Sequence, residues 1–107
     1  MAKYLISASY SAEGVKGLLA DGGTKRREVL ENLINGMGGS MESFYYAFGS
    51  DDIYVILDLP DHATMTALSL AVAASGSISS VNTTVLITPE EVDEAVQKTV
   101  NYTPPGA

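Results

Sequence analysis

An α+β sandwich, with an antiparallel sheet carrying its long helices on one face, is the fold class this sequence predicts, and three observations predict it. Residues 40–60, SMESFYYAFGSDDIYVILDLP, set two aromatic and β-branched runs on either side of Gly49-Ser50-Asp51-Asp52. Those four residue types tolerate turn conformations, so the stretch reads as a β-hairpin. Val29, Leu30, Leu33, Ile34 and Met37 recur at helical spacing before it, and Met65, Leu68, Ala71, Val72 and Ser75 do so after it. Finally, residues 3–10 alternate Tyr4, Ile6, Ala8 and Tyr10 against Leu5, Ser7 and Ser9, the pattern of a half-buried strand.

In chain order, the first strand gives way at Ser11, whose capping-box-like position supports only a short helical turn over residues 15–20 before Asp21-Gly22-Gly23 breaks it. Thr24 is the expected cap of the first long helix, which Gly36, Gly38 and Gly39 end by supplying positive φ. In the hairpin, closure by Phe48 and Ile53 would put Phe44, Tyr46, Phe48, Ile53, Val55 and Leu57 on a core face. Ser43, Tyr45, Ala47, Tyr54, Ile56 and Asp58 then form the other face. Asp61 is the expected cap of the second long helix and Gly76 its stop. Residues 77–80 read as a linker, and the β-branched run VNTTVLI at 81–87 as the fourth strand. Thr88-Pro89-Glu90-Glu91 is a specific helix start, with Thr as N-cap, Pro at the first helical position and Glu closing a capping box. That last helix is expected to reach about Val100, short of the Pro104-Pro105 tail.

The order β, α, β, β, α, β, α interleaves two right-handed crossovers through a hairpin. It predicts a ferredoxin-like βαββαβ sandwich with an extra C-terminal helix. The domain is expected over residues 1–100, with residues 101–107 as a tail. Two layers leave one sheet face without helices, carrying Leu5, Ser7, Ser9, Tyr45, Tyr54, Ile56, Asp58, Thr84 and Leu86. Such a surface is too apolar for open water and too polar for a dry core, so pairing with another copy through Tyr45, Tyr54, Ile56 and Leu86 is expected.

Composition narrows the function classes. The 107 residues suit one domain, and with no cysteine there is no disulfide, thiolate metal site or thiol nucleophile. The start MAKYLISASY is not a secretory signal, and no run approaches the ~20 apolar residues of a spanning helix, so a cytoplasmic protein is expected. The acidic net charge of −7 argues against nucleic acid and anionic membrane as partners. Three of six cations stand together at Lys25-Arg26-Arg27.

The sequence resembles the GYD-domain family, within the dimeric α/β-barrel branch of ferredoxin-like proteins. The resemblance rests on KYLISASYSAEGVKGLLADGG, KRREVLENL, SFYYAFGSDDIYVILDLPD and TTVLITPEEVDEA, which together span nearly the whole domain. At the hairpin turn, where the family is named for Gly, Tyr and Asp, this chain has Gly49 and Asp52 (or Asp51) with no tyrosine. The resemblance implies a homodimer or higher homo-oligomer with two open sheets facing each other as a barrel. It supplies no catalytic residue.

Two candidate sites follow from the residues. Ser7, Ser9, Tyr45, Tyr54 and Asp58 would share the space between facing sheets, a few polar groups among apolar ones, as in a small-ligand site. The competing reading makes them interface residues whose hydroxyls bond backbone or water. Thr24, Lys25, Arg26 and Arg27 set cations against a helix N-terminus, a conflict that a bound anion or an acidic partner surface would relieve. Local pairing with Glu28 and Glu31 is the simpler alternative. His62 reads as a surface residue beside a cap, and Asp51-Asp52 as a solvated turn. No metal-ligand spacing, phosphate loop, dinucleotide fingerprint or nucleophile elbow occurs, so no cofactor is expected. The function expected first is a homo-oligomer binding a small ligand between its sheets. The alternative is a cofactor-free enzyme resembling the monooxygenases and isomerases of this barrel type, with Tyr45, Tyr54 or Asp58 handling protons.

Overall fold

The computed structural model describes residues 1–107. Its elements are β1 (Ala2–Tyr10), α1 (Ala12–Asp21), α2 (Gly23–Gly36), β2 (Ser40–Tyr46), β3 (Ile53–Leu59), α3 (His62–Ala74), β4 (Ile78–Leu86) and α4 (Pro89–Val96). The four strands form one antiparallel sheet in the order β2-β3-β1-β4, the ferredoxin-like arrangement. The sheet is open, not closed into a barrel. α1 packs on β1, α2 on β2, and α3 on β3 and β4.

β3 is the spine. Its alternating Ile53, Val55, Leu57 and Leu59 are all buried, and Tyr4, Ile34, Met65 and Leu68 complete the core around them. Full burial of side chains such as Ile34, Leu57 and Leu59 stabilises by about 1.5–3 kcal/mol each. Only part of the stripe expected on α2 is used. Ile34 is buried and Leu30 and Met37 pack against the core, whereas Val29 and Leu33, one step round the helix, are exposed.

Several local expectations are corrected. α1 is a full ten-residue helix, because the Ser11 side chain caps it by accepting from the Gly14 N–H. Gly22, at φ 83°, a left-handed conformation that favours glycine, both ends α1 and opens α2. Thr24 therefore lies inside α2 and is not its cap. β4 begins at Ile78, so residues 78–80 are strand and not linker. α4 has the expected capping box between Thr88 and Glu91 but stops at Val96.

The hairpin register is shifted by two residues on β2 from the one expected, so that Tyr46 and not Phe48 pairs with Ile53. Tyr46 and Ile53 are the last ladder partners, and Phe48 protrudes from the loop, fully exposed. The loop is fastened to the end of β1: the Asp52 N–H donates to the Ala8 carbonyl at 2.9 Å, and its carboxylate accepts from the Tyr10 N–H at 2.9 Å. A bulge at Glu42 in β2 allows Met41 and Phe44, three residues apart, both to face the helices.

The extents of 58 × 32 × 24 Å and a radius of gyration of 17.2 Å exceed the roughly 13 Å of a compact domain of this length. Every residue of α4 and of the tail is exposed, so this segment stands off the sandwich and does not cover the open sheet face. No helix is long and apolar enough to cross a membrane.

Candidate functional site

Ladder register places the open face in rows. Asn82, Ser7, Tyr54 and Tyr45 lie side by side across β4, β1, β3 and β2. The next row is Thr84, Leu5, Ile56 and Ser43, and the third joins Leu86, Lys3, Asp58 and Ser40. Ser7, Tyr45, Tyr54 and Asp58 therefore share one face, as do Leu5, Ile56, Thr84 and Leu86. Tyr45 is 70% exposed and Tyr54 37%.

The five candidates have different surroundings. Asp58 accepts from the Lys3 ammonium at 3.1 Å, and the bulge residue Glu42 accepts from the same ammonium. Hydrogen bonding to Glu42 and then to Asp58 raises the Lys3 pKa, so this lysine stays charged. Ser9 donates to Asp51 at 3.1 Å and to the Ser50 carbonyl at 3.3 Å, so it belongs with the hairpin loop. Ser7, Tyr45 and Tyr54 stand apart from both sets of contacts and form the polar centre of the face.

Two of the three cations of α2 share one carboxylate and the third points elsewhere. Lys25 and Arg26 reach back to Asp21 at 4.0 and 3.7 Å. Arg27 instead lies beside Glu31, Glu42 and Tyr45 in a shallow groove along β2. Thr24 shares the start of the helix with them.

A cavity that sequence reasoning missed lies on the opposite side of the sheet, between β1, β3 and the helices α2 and α3. Its volume is about 140 Å³, and 13 of its 16 lining residues are hydrophobic, including Leu30, Phe44, Leu68 and Val72. Arg26, Ser69 and Ser77 are its three polar lining residues, and Tyr10 lies among the hydrophobic ones. Burial, with the neighbouring Tyr46 phenol, pushes the Tyr10 phenol up to about 12, against a lowering influence of Arg26. From α3 it is Met65, Leu68, Ser69 and Val72 that cover this region, whereas Ala67, Ala71, Ala73 and Ala74 are exposed.

His62 has a partner. Its Nδ1 lies 2.6 Å from the Tyr4 hydroxyl, and the rings meet edge to face. The pair caps the buried end of Tyr4 and makes no metal site, and no group of three potential metal ligands exists anywhere in the chain.

Comparison with known proteins agrees with this architecture. The crystal structure of MtbAldR superposes with a TM-score of 0.58 at 14% identity, over 81% of this chain. The chain spans about half of that protein, 52% of its length, so the likeness is one of fold. No curated protein matches the sequence. The model of the GYD domain matches residues 4–96, from the buried Tyr4 to the end of α4. This chain belongs to the GYD-domain family.

Proposed function

We propose that the chain is a homo-oligomeric small-ligand-binding protein that pairs through its open sheet face. The observation that carries this reading is the uncovered face itself. Leu5 and Ile56 lie between the tyrosine row and the Lys3–Asp58 pair, Leu86 lies beside Lys3, and no element of the same chain lies over them. Two such sheets packed about 10 Å apart would hide these side chains. The space between them would be lined by Ser7, Tyr45 and Tyr54 of both copies, hydroxyls among apolar groups, which suits a small ligand with one or two polar atoms.

The test is sedimentation of the full chain and of Ile56→Asp. The native chain sediments as a dimer or larger. The variant sediments as a folded monomer, because only the assembly buries the new carboxylate unpaired. A native monomer, or an unchanged oligomer in Ile56→Asp, sinks the reading.

The apolar cavity beneath α2 and α3 favours a second location for the ligand. Thermal shift with benzene and with phenol as probes separates the two. A raised Tm that Val72→Phe abolishes assigns the ligand to the cavity. A raised Tm that Ser7→Val and Tyr45→Phe abolish assigns it to the space between sheets. No shift with either probe argues against ligand binding.

A further inference from the structure

We propose that α4 is an arm that clasps a second copy of the chain, completing the pairing begun by the open sheet face. The inference rests on that pairing and adds a second contact to it. α4 presents Val92, Ala95 and Val96 along one side, and acidic Glu90, Glu91, Asp93 and Glu94 around the rest. Val92 is 50% exposed and Val96 71%, and Val100 and Tyr102 beyond them are more than two thirds bare. An isolated helix shorter than about 12 residues is marginal in water even with good capping. Eight residues with a complete capping box and an apolar stripe therefore need a surface to lie on, and their own domain supplies none.

Two considerations identify that surface as a second copy. The first is continuity. α4 begins three residues after Leu86, the last open-face residue of β4, so the arm leaves from the rim of the face to be paired. The second is area. Seven residues of β3 at about 3.3 Å each, and four strands about 4.8 Å apart, give a sheet footprint of roughly 450 Å². A stable interface buries about 800 Å² on each partner. That figure is accessible surface, which exceeds the flat footprint of the same face, and two symmetry-related arms laid on opposite partners add to what the sheet supplies. The elongated 58 Å axis of the single chain fits a segment that completes its packing elsewhere.

The experiment uses the full chain with Val92→Asp and Val96→Asp combined, read by sedimentation equilibrium over a dilution series. The expected result is a dimer Kd raised at least 30-fold, with the monomer's thermal transition unchanged. In parallel, Val96→Cys carries an environment-sensitive fluorophore, placed uniquely because the native chain has no cysteine. Its emission shifts blue as concentration rises through the dimer Kd. An unchanged Kd, or emission independent of concentration, overturns the arm, the latter by placing α4 on its own chain or in solvent throughout. Ile56→Asp separates the two ideas. If it alone breaks the dimer, the sheet pairing stands and the arm falls; if the arm variant alone breaks it, the sheet pairing falls.

Discussion

The hydroxyl of Tyr4 lies 2.6 Å from Nδ1 of His62, with the two rings 5.7 Å apart and 77° from parallel. Tyr4 is 1% exposed in the middle of the core, yet its polar end finds a partner on the first residue of α3. Burial, and then the charge of Asp61, raises the phenol's pKa, so it stays protonated and available as the donor. The pair ties the start of β1 to the start of α3, and no buried side-chain polar atom is left without a partner.

Tyr4→Phe and His62→Ala are expected to be non-additive. A neutral hydrogen bond contributes about 1 kcal/mol net, and each change alone removes it. A urea-denaturation double-mutant cycle should return a coupling of about 1 kcal/mol. Additivity within about 0.3 kcal/mol would mean that the contact contributes nothing to stability.

Tyr10 makes an alkaline signature. The folded chain holds this proton more tightly than the ordinary phenol value of 10.0, up to about 12. Its contribution to stability is therefore complete below pH 10 and is lost as pH rises toward about 12. Near-ultraviolet absorbance should show a tyrosinate step near pH 12 that is missing from Tyr10→Phe. Alkaline unfolding of that variant should depend less steeply on pH within this window. An unchanged titration curve would remove the assignment.

Two glycines of α1 should respond in opposite directions to alanine. A Cβ on Gly14 would collide with the backbone carbonyl oxygen of Ser77, so α1 and the start of β4 would have to separate. Gly14→Ala is expected to lower stability by more than about 3 kcal/mol, in the range of severe overpacking. Gly17 has open space around it, and alanine there should stabilise by about 1 kcal/mol through helix propensity. Chemical denaturation of both variants measures the difference. The same sign for both would contradict the packing of α1.

Thr88→Ala removes the capping box of α4, a change of about 1 kcal/mol in helix stability. Because α4 rests on nothing in its own chain, dilute monomer should lose helical circular dichroism while its urea midpoint stays where it was. A midpoint shift matching the full cap energy would show that α4 belongs to the cooperative core.

Local codes made much of this protein legible in its residues. Period-2 alternation in residues 3–10 and 53–59 fixed which side chains of β1 and β3 face the helices, because a strand has only two faces to offer. Asp61, Thr88-Pro89-Glu90-Glu91 and Gly76 marked helix ends through hydrogen bonds and φ values confined to a few neighbouring residues. The crossover order then left one economical topology, and four of the five residues singled out for the sheet site do share a face without further contact to the loops.

Tertiary structure decided whatever depends on residues far apart in the chain. Strict alternation carries no mark of the Glu42 bulge or of a hairpin that closes at Tyr46, since both are set by ladder pairing with β3. Ser9 was drawn to Asp51, and Lys3 to Glu42 and Asp58, across 39 to 55 residues. Lys25, Arg26 and Arg27 are adjacent in sequence, yet the first two turn to Asp21 while helical rotation carries Arg27 toward β2. The cavity and the free-standing α4 are properties of how elements fail to meet. Such gaps follow from summed volumes and distances between segments, and no stretch of residues contains them by itself.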